Sequence, residues 1–274
     1  MLIRIFAYIP GLVLIIATAL PLFRHEDWWI RIFDFPRAQI AVGSIAILLL
    51  AVFFTGRKNA FDYIVMCALF LSFVYQCYMM YPYTTLSSRE LLASENSARD
   101  IKISVLVSNG YMKNRDIARF LEIVQTYKPD AICVLEPDTW WNSQLSELDA
   151  IYTHQEKHIS DDTYGMIFYS GLETVSSEIR YILEDHIPSV HSQLKLRSGQ
   201  LIEFYCLHPS PPNPRYAEDT KERDAELLIV GREAKDSVHP VIVAGDLNDV
   251  AWSYTSNLFR KTSGLLDPRI GRGF

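Results

Sequence analysis

The chain has 274 residues, 49% hydrophobic and 21% charged, with a formal net charge of −6. Positions 1–83 hold 6 basic and 4 acidic residues, so the remainder carries 20 against 28 and is net −8. An acidic remainder without a basic cluster argues against a protein held on duplex nucleic acid by counterion release, although it leaves a nuclease open.

Three uncharged stretches come first, Ile5–Phe23, Ala38–Gly56 and Tyr63–Tyr83, of 19, 19 and 21 residues. A helix rises about 1.5 Å per residue and needs about 20 residues to cross a bilayer. Residues 1–83 are therefore expected to be a transmembrane region with spans near 5–23, 38–56 and 63–83. A cleaved signal peptide is the alternative for the first, because Ala17-Thr18-Ala19 follows an apolar run as a cleavage site would. Asp27–Phe33 carries Trp28 and Trp29 and reads as an interfacial aromatic belt or as an ordinary short loop. Five positive residues (Arg24, Arg31, Arg37, Arg89, Arg99) against three (Arg4, Arg57, Lys58) weakly favour a cytoplasmic soluble part, which leaves both sides open. No ionisable residue falls near the middle of a span, which sets a transporter aside.

Residues 84–100 are small, polar and charged, and read as a linker with a short helix around Arg89–Ala93. From residue 101 the pattern alternates. Ile101–Val107 is an expected strand, and Asn114 is expected to cap a helix with Ile117, Phe120, Leu121 and Val124 on one face. Pro129 ends that helix, and Ala131–Leu135 is the next strand. Met166–Tyr169 and Ile179–Leu183 follow as strands. Val190–Leu196 and Leu201–Leu207 flank Arg197-Ser198-Gly199-Gln200 as a hairpin. Glu218–Lys235 is expected to be a charged helix with Ala225, Leu228, Ile229 and the stem of Arg232 turned inward, and Val241–Ala244 a central strand. Crossover helices mixed with hairpins imply a layered α/β or α+β domain with a mixed sheet. Cys67 and Cys77 fall in the third span, and Cys133 and Cys206 read as small buried hydrophobes; no Cys/His spacing suggests zinc.

The apolar runs share a habit at their ends. Val105–Val107 is followed by Asn109, Cys133–Leu135 by Glu136, Phe204–Leu207 by His208, and PVIVAGDLND (Pro240–Asp249) sets Asp246 and Asn248 after its strand. Taken singly, each is most often a turn former, a loop acid, an edge histidine or a helix cap. If the strands run the same way, all emerge on one edge of the sheet, where α/β proteins collect ligands. Glu136 and Asn109 are oxygen donors suited to Mg²⁺ or Mn²⁺. His208 and Asn248 can hold phosphate oxygens, and Asp246 can orient or deprotonate a water. Together they read as metal-assisted phosphoester hydrolysis.

The order VLVSN, ICVLEP, TYG (Thr163–Gly165), LHPSPP (Leu207–Pro212) and GDLND, with Ser253 after it, resembles the endonuclease/exonuclease/phosphatase superfamily over about residues 101–274. With the apolar N-terminus, the resemblance is to a membrane-anchored bacterial branch. It implies a four-layer α/β sandwich of the DNase I type, an Mg²⁺-dependent phosphodiester hydrolase in a bacterial cytoplasmic membrane, and no protein partner. The substrate would be nucleic acid, a phospholipid headgroup or a small phosphodiester. By the same resemblance Asn109 and Glu136 match the metal pair, Tyr164 a substrate-holding tyrosine, His208 the phosphate-binding histidine, and Asp246 with Asn248 the water-activating and phosphate-holding pair. Arg223 is set apart from these, since an Arg on a charged helix is usually a solvated residue or a salt-bridge partner. Members of the superfamily end in a strand with an Asp-His pair. No Asp-His follows Asn248 here and the last histidine is His239. The chain is thus expected to lack its last strands, with a weakened site, either as a fragment or as a natural short form. A non-catalytic binding or scaffold module on the same fold is the competing function.

Overall fold

A computed structural model describes residues 2–54, 58–94, 98–213, 217 and 219–273, with side chains from Tyr8 onward. The helices are α1 Leu2–Ala19, α2 Trp28–Arg31, α3 Arg37–Phe54, α4 Ala60–Met80, α5 Ile117–Tyr127, α6 Thr139–Gln144, α7 Lys221–Asp236 and α8 Tyr254–Ser263. The strands are β1 Val105–Asn109, β2 Ala131–Leu135, β3 His154–His158, β4 Met166–Ser170, β5 Glu173–Arg180, β6 Ser189–Lys195, β7 Leu201–Leu207 and β8 Val241–Gly245.

Two four-stranded sheets form, ordered β1-β2-β4-β3 and β5-β6-β7-β8. Strand alternation builds the layers. Cys133, Leu135, Met166 and Phe168 point from the first sheet into a core shared with Leu194, Ile202, Phe204 and Cys206 of the second. On the opposite faces, Ile132, Val134, Ile167 and Tyr169 pack under Phe120 and Val124 of α5 and Trp141 of α6. Tyr205 and Leu207 pack under Leu227 and Val230 of α7 and Phe259 of α8. The result is helix, sheet, sheet, helix. Within each sheet one pair is parallel, β1 with β2 and β7 with β8, in registers Asn109↔Leu135 and Leu207↔Gly245.

Helices α1, α3 and α4 pack on one another as an apolar unit. Its surface is hydrophobic: Ile9, Val13, Val42, Phe53, Ile64 and Leu71 are all more than half exposed. Its interior mixes apolar residues such as Ile40, Val65 and Leu69 with a buried polar network. Arg37 Nη1 donates to Gln76 Oε1 at 2.8 Å, and Gln76 Nε2 to Thr18 Oγ1 at 3.0 Å, while Arg37 also pairs with Asp34. Among the described residues, two helices, Arg37–Phe54 and Ala60–Tyr83, have the length and apolarity to cross a bilayer. The first expected span is not established as a third. Its described apolar part, Tyr8–Phe23, is shorter, about 24 Å at helical rise, and its last turn tightens into a 3₁₀ turn at Leu20–Phe23. Thr55 and Gly56 of the expected second span lie outside the described residues.

Several expected elements shift. Arg99–Ile101 is a 3₁₀ turn, so β1 begins only at Val105; it runs to Asn109 because Ser108 and Asn109 pair with Val134 and Leu135. The cap of α5 is Asp116, whose carboxylate accepts from Arg119 N at 3.3 Å; Asn114 instead accepts from Asp116 N one turn earlier. β5 lies at Glu173–Arg180, where pairing with β6 carries a chain that has little apolar periodicity, and Tyr181–Leu183 is outside it. No helix forms at Arg89–Ala93, because Glu90 is drawn to Arg260 at 2.7 Å and to the backbone N–H of Asp267 at 2.7 Å. Helix α7 begins at Lys221, Glu218 lying outside the described residues. Its buried face carries Arg223, Glu226, Leu227 and Val230, not the Ala225, Leu228, Ile229 and Arg232 that apolar spacing favours, because two buried charges sit in that face.

Candidate active site

Parallel pairing brings the strand ends together. Glu136 leaves β2 beside Asn109 at the end of β1, and His208 leaves β7 beside Asp246 at the end of β8. Across the two sheets, Asn109 Nδ2 donates to Glu136 Oε1 at 2.8 Å and to Asp246 Oδ2 at 3.3 Å. Asn109 Oδ1 accepts from the N–H of Tyr111 at 3.0 Å, which fixes the amide. His208 Nε2 stands 3.9 Å from Glu136 Oε1.

Asn248 is held from both ends. Its Nδ2 donates to the Pro209 carbonyl at 2.8 Å, its own carbonyl accepts from Arg223 Nη1 at 2.8 Å, and its N–H donates to Asp246 Oδ1 at 3.1 Å. Arg223 is buried and binds Asp224 Oδ1 through Nε and Nη2 at 2.9 and 2.7 Å, so it is a salt-bridge partner and not a solvated residue. The tyrosine of TYG closes the site: Tyr164 OH shares a hydrogen bond with Ser210 Oγ at 3.2 Å, and Ser210 Oγ donates to Glu184 Oε2 at 3.1 Å. Glu136, Thr163, Tyr164, His208, Pro211 and Asn248 line a cavity of about 70 Å³. All six residues singled out in the sequence thus meet at one edge.

Two glycines permit this. A Cβ on Gly245, at φ 136°, would stand 1.9 Å from the Leu207 carbonyl oxygen, and one on Gly165 would stand 2.1 Å from that of Pro137. Only a bare backbone lets β8 lie against β7, or TYG against the turn after Glu136. Glu136 and Asn248 themselves take φ of 60° and 50°, left-handed conformations that non-glycine residues adopt rarely.

The electrostatics are those of a wet, acidic mouth over a dry histidine. His208 is buried, and burial holds its pKa below the usual histidine value; the nearby Asp246 and Glu136 charges oppose that shift. Its Nδ1 has no hydrogen-bond partner. Burial also pushes the Asp249 carboxyl up, against Arg223 and the Ser253 hydroxyl, which pull it down. Among the described residues no three His, Cys, Asp or Glu side chains close around a common point. The donor set nevertheless fits a hard cation: two carboxylates drawn onto one amide leave excess negative charge, and Mg²⁺ binds through one or two carboxylates while keeping waters.

Spacing left several residues unnoticed. Ser210 sits inside the quoted LHPSPP, but Glu184 lies in a loop without periodicity. Tyr83 and Asp34 meet the site loop from elsewhere: Tyr83 OH donates to the Ala251 carbonyl at 2.7 Å, and the Asp34 carbonyl accepts from Trp252 Nε1 at 2.8 Å. Local sequence carries no signal for contacts made across 168 and 218 positions.

The sequence model of the Endonuclease/Exonuclease/phosphatase family matches residues 106–274, more than half of the chain. No curated protein matches. Among solved structures, D. rerio TDP2 complexed with single strand DNA product aligns at 21% identity over 61% of this chain and 67% of that one, with a TM-score of 0.48. The human Nocturnin catalytic domain with bound sulfate aligns at 16% over 59% and 70%, TM-score 0.47. A hairpin-deletion mutant of Staphylococcus aureus beta toxin aligns at 14% over 61% and 75%, TM-score 0.46.

Proposed function

The chain belongs to the endonuclease/exonuclease/phosphatase family, and from that premise we propose that it is a membrane-anchored, divalent-metal-dependent phosphoesterase. The observation that carries the reading is the Asn109 amide joining Glu136 of one sheet to Asp246 of the other, beside His208 and Asn248. Glu136 would hold Mg²⁺ or Mn²⁺, joined by Asn109 once its Oδ1 turns from the Tyr111 N–H toward the site; when bound the ion polarises a phosphoryl oxygen and acidifies water.

The protein groups divide the remaining work. Asn248, fixed by Pro209 and Arg223, donates its second amide hydrogen to a phosphoryl oxygen. His208, held neutral by burial, donates from Nε2 to the same group. Asp246 takes the proton of the attacking water as the new O–P bond forms and the P–O bond to the leaving alkoxide breaks, and the alkoxide takes its proton from solvent. Tyr164, tied through Ser210 to Glu184, holds the substrate against this face.

The anchor reading rests on the two long apolar helices and on the hydrophobic exterior of the helical unit. It places phospholipid headgroups within reach as substrates, alongside nucleic acid and small phosphodiesters. The test is hydrolysis of bis(p-nitrophenyl) phosphate by the full chain in detergent, with Mg²⁺ and with EDTA. Metal-dependent turnover that falls by about 10²–10³ in Asp246→Ala is expected; equal rates in wild type and variant would refute the mechanism.

A further inference from the structure

A second cavity, of about 260 Å³, opens where the helical unit meets the sandwich, and it shares no lining residue with the catalytic pocket. Its charged lining is Arg24, Glu26, Arg31, Lys221 and Asp224, with Tyr254 as the aromatic wall.

Lys221 Nζ donates to Asp219 Oδ2 at 2.5 Å and keeps two further N–H donors; the two arginines are less committed. Asp224 is committed to Arg223, and its Oδ2 accepts from Thr220 Oγ1 at 3.0 Å. Arg31 is only 4% exposed, yet its Nε and Nη1 donate no hydrogen bond. Its ion contacts, 3.8 Å to Asp34 and 3.9 Å to Asp224, are too long to satisfy those donors. Arg24 lies over the Tyr254 ring at 4.7 Å from its centroid, with Arg31 at 5.9 Å from the same ring. A buried guanidinium with unmade donors is costly, and a fork of N–H groups matches a tetrahedral oxyanion. The segment between α1 and α3 that supplies Arg24 and Arg31 also exposes Phe23 and Trp29, 76% and 47% accessible, side chains that suit a bilayer surface.

We propose that this cavity binds a phosphate-bearing anion, with Arg31 as the buried donor and Arg24 and Lys221 at the rim. Such a phosphate can come from a phospholipid headgroup or from free solution. The site does not depend on the phosphoesterase reading; only the headgroup source rests on the membrane reading.

The experiment is calorimetric titration of the full chain in detergent with inorganic phosphate, comparing wild type with Arg24→Gln and Lys221→Gln. Both side chains are at the surface, so folding does not hinge on them. Wild type is expected to show two binding phases, one from the catalytic pocket, with the other weakened about tenfold in each variant, as loss of one charge-assisted contact implies. Identical titrations in all three proteins would overturn the site. An Asp246→Ala chain keeps the rim-dependent phase even if it loses hydrolysis, which separates the two readings. Repeating the titration in nanodiscs of phosphatidylcholine with and without phosphatidylglycerol identifies the source. Loss of the rim-dependent phase only with phosphatidylglycerol identifies the headgroup as occupant, and persistence in both identifies free phosphate.

Discussion

Glu136 and Asn248 occupy left-handed backbone at φ 60° and 50°, and each such residue costs about 1–3 kcal/mol that the surroundings must offset. For Asn248 those surroundings are the Pro209 carbonyl and the Arg223 guanidinium. Asn248→Ala removes the proposed phosphate donor and a tie to Pro209, just past β7, so kcat should fall by about 10²–10³, measured against a soluble phosphodiester. Thermal stability should drop by about 1 kcal/mol from the one lost hydrogen bond, read by denaturant titration. Glu226 makes a separate prediction. Burial, helped by the charge of Glu184, pushes its pKa from 4.5 up to about 7, and its Oε1 has no partner. A carboxyl with a raised folded pKa favours folding below its unfolded value and loses that advantage as pH rises through the folded one. Stability should therefore decline between about pH 4.5 and 7 by on the order of 3 kcal/mol. Glu226→Gln should flatten that decline and leave the variant more stable than wild type at pH 8, as chemical denaturation at several pH values would show.

At the scale of elements, the loop after β8 is one place where the two halves of the molecule touch. Tyr83, Ala251, Ile270 and Trp252 form a small core of their own, and the Tyr83 and Trp252 rings meet edge to face at 5.8 Å. Trp252→Phe removes the bond to the Asp34 carbonyl while keeping an aromatic ring. A loss of about 1 kcal/mol is expected, with kcat falling more than KM changes, because the same loop carries Asp246 and Asn248. Gly165→Ala should be more damaging, since the new Cβ falls 2.1 Å from the Pro137 carbonyl and forces the turn after Glu136 to move. Destabilisation of about 2–3 kcal/mol, measured by urea unfolding, is expected. The strands legible in the sequence are those with near-continuous apolar runs, such as Ala131–Leu135 and Leu201–Leu207. Strand β3, His154–Gln155-Glu156-Lys157-His158, has no apolar residue; it forms because β4 presents a free edge to it. The inward face of α7 was misjudged for a related reason: Arg223 and Glu226 are buried by partners distant in sequence, which outweighs the pull of Leu228 and Ile229.

At the scale of the whole molecule, a helical unit with a hydrophobic exterior is joined to a sandwich whose hydrophobic residues are mostly buried between its layers. In water the first would expose a large apolar surface, which soluble proteins avoid. The full chain should sediment with membranes and resist carbonate extraction; release by carbonate at high pH would contradict the anchor. The sequence by itself determined the alternation that makes two sheets, the apolar stretches, and the identities of Asn109, Glu136, Tyr164, His208, Asp246 and Asn248, because periodicity and motif are local properties. Only the tertiary structure decided that those six converge, that Arg223, Ser210 and Glu184 support them, and that Asp34 and Tyr83 brace the loop beside them. Convergence depends on which strands pair in parallel and on contacts between residues far apart in the chain, and hydrogen bonds of that range leave no trace in the spacing of residues along it.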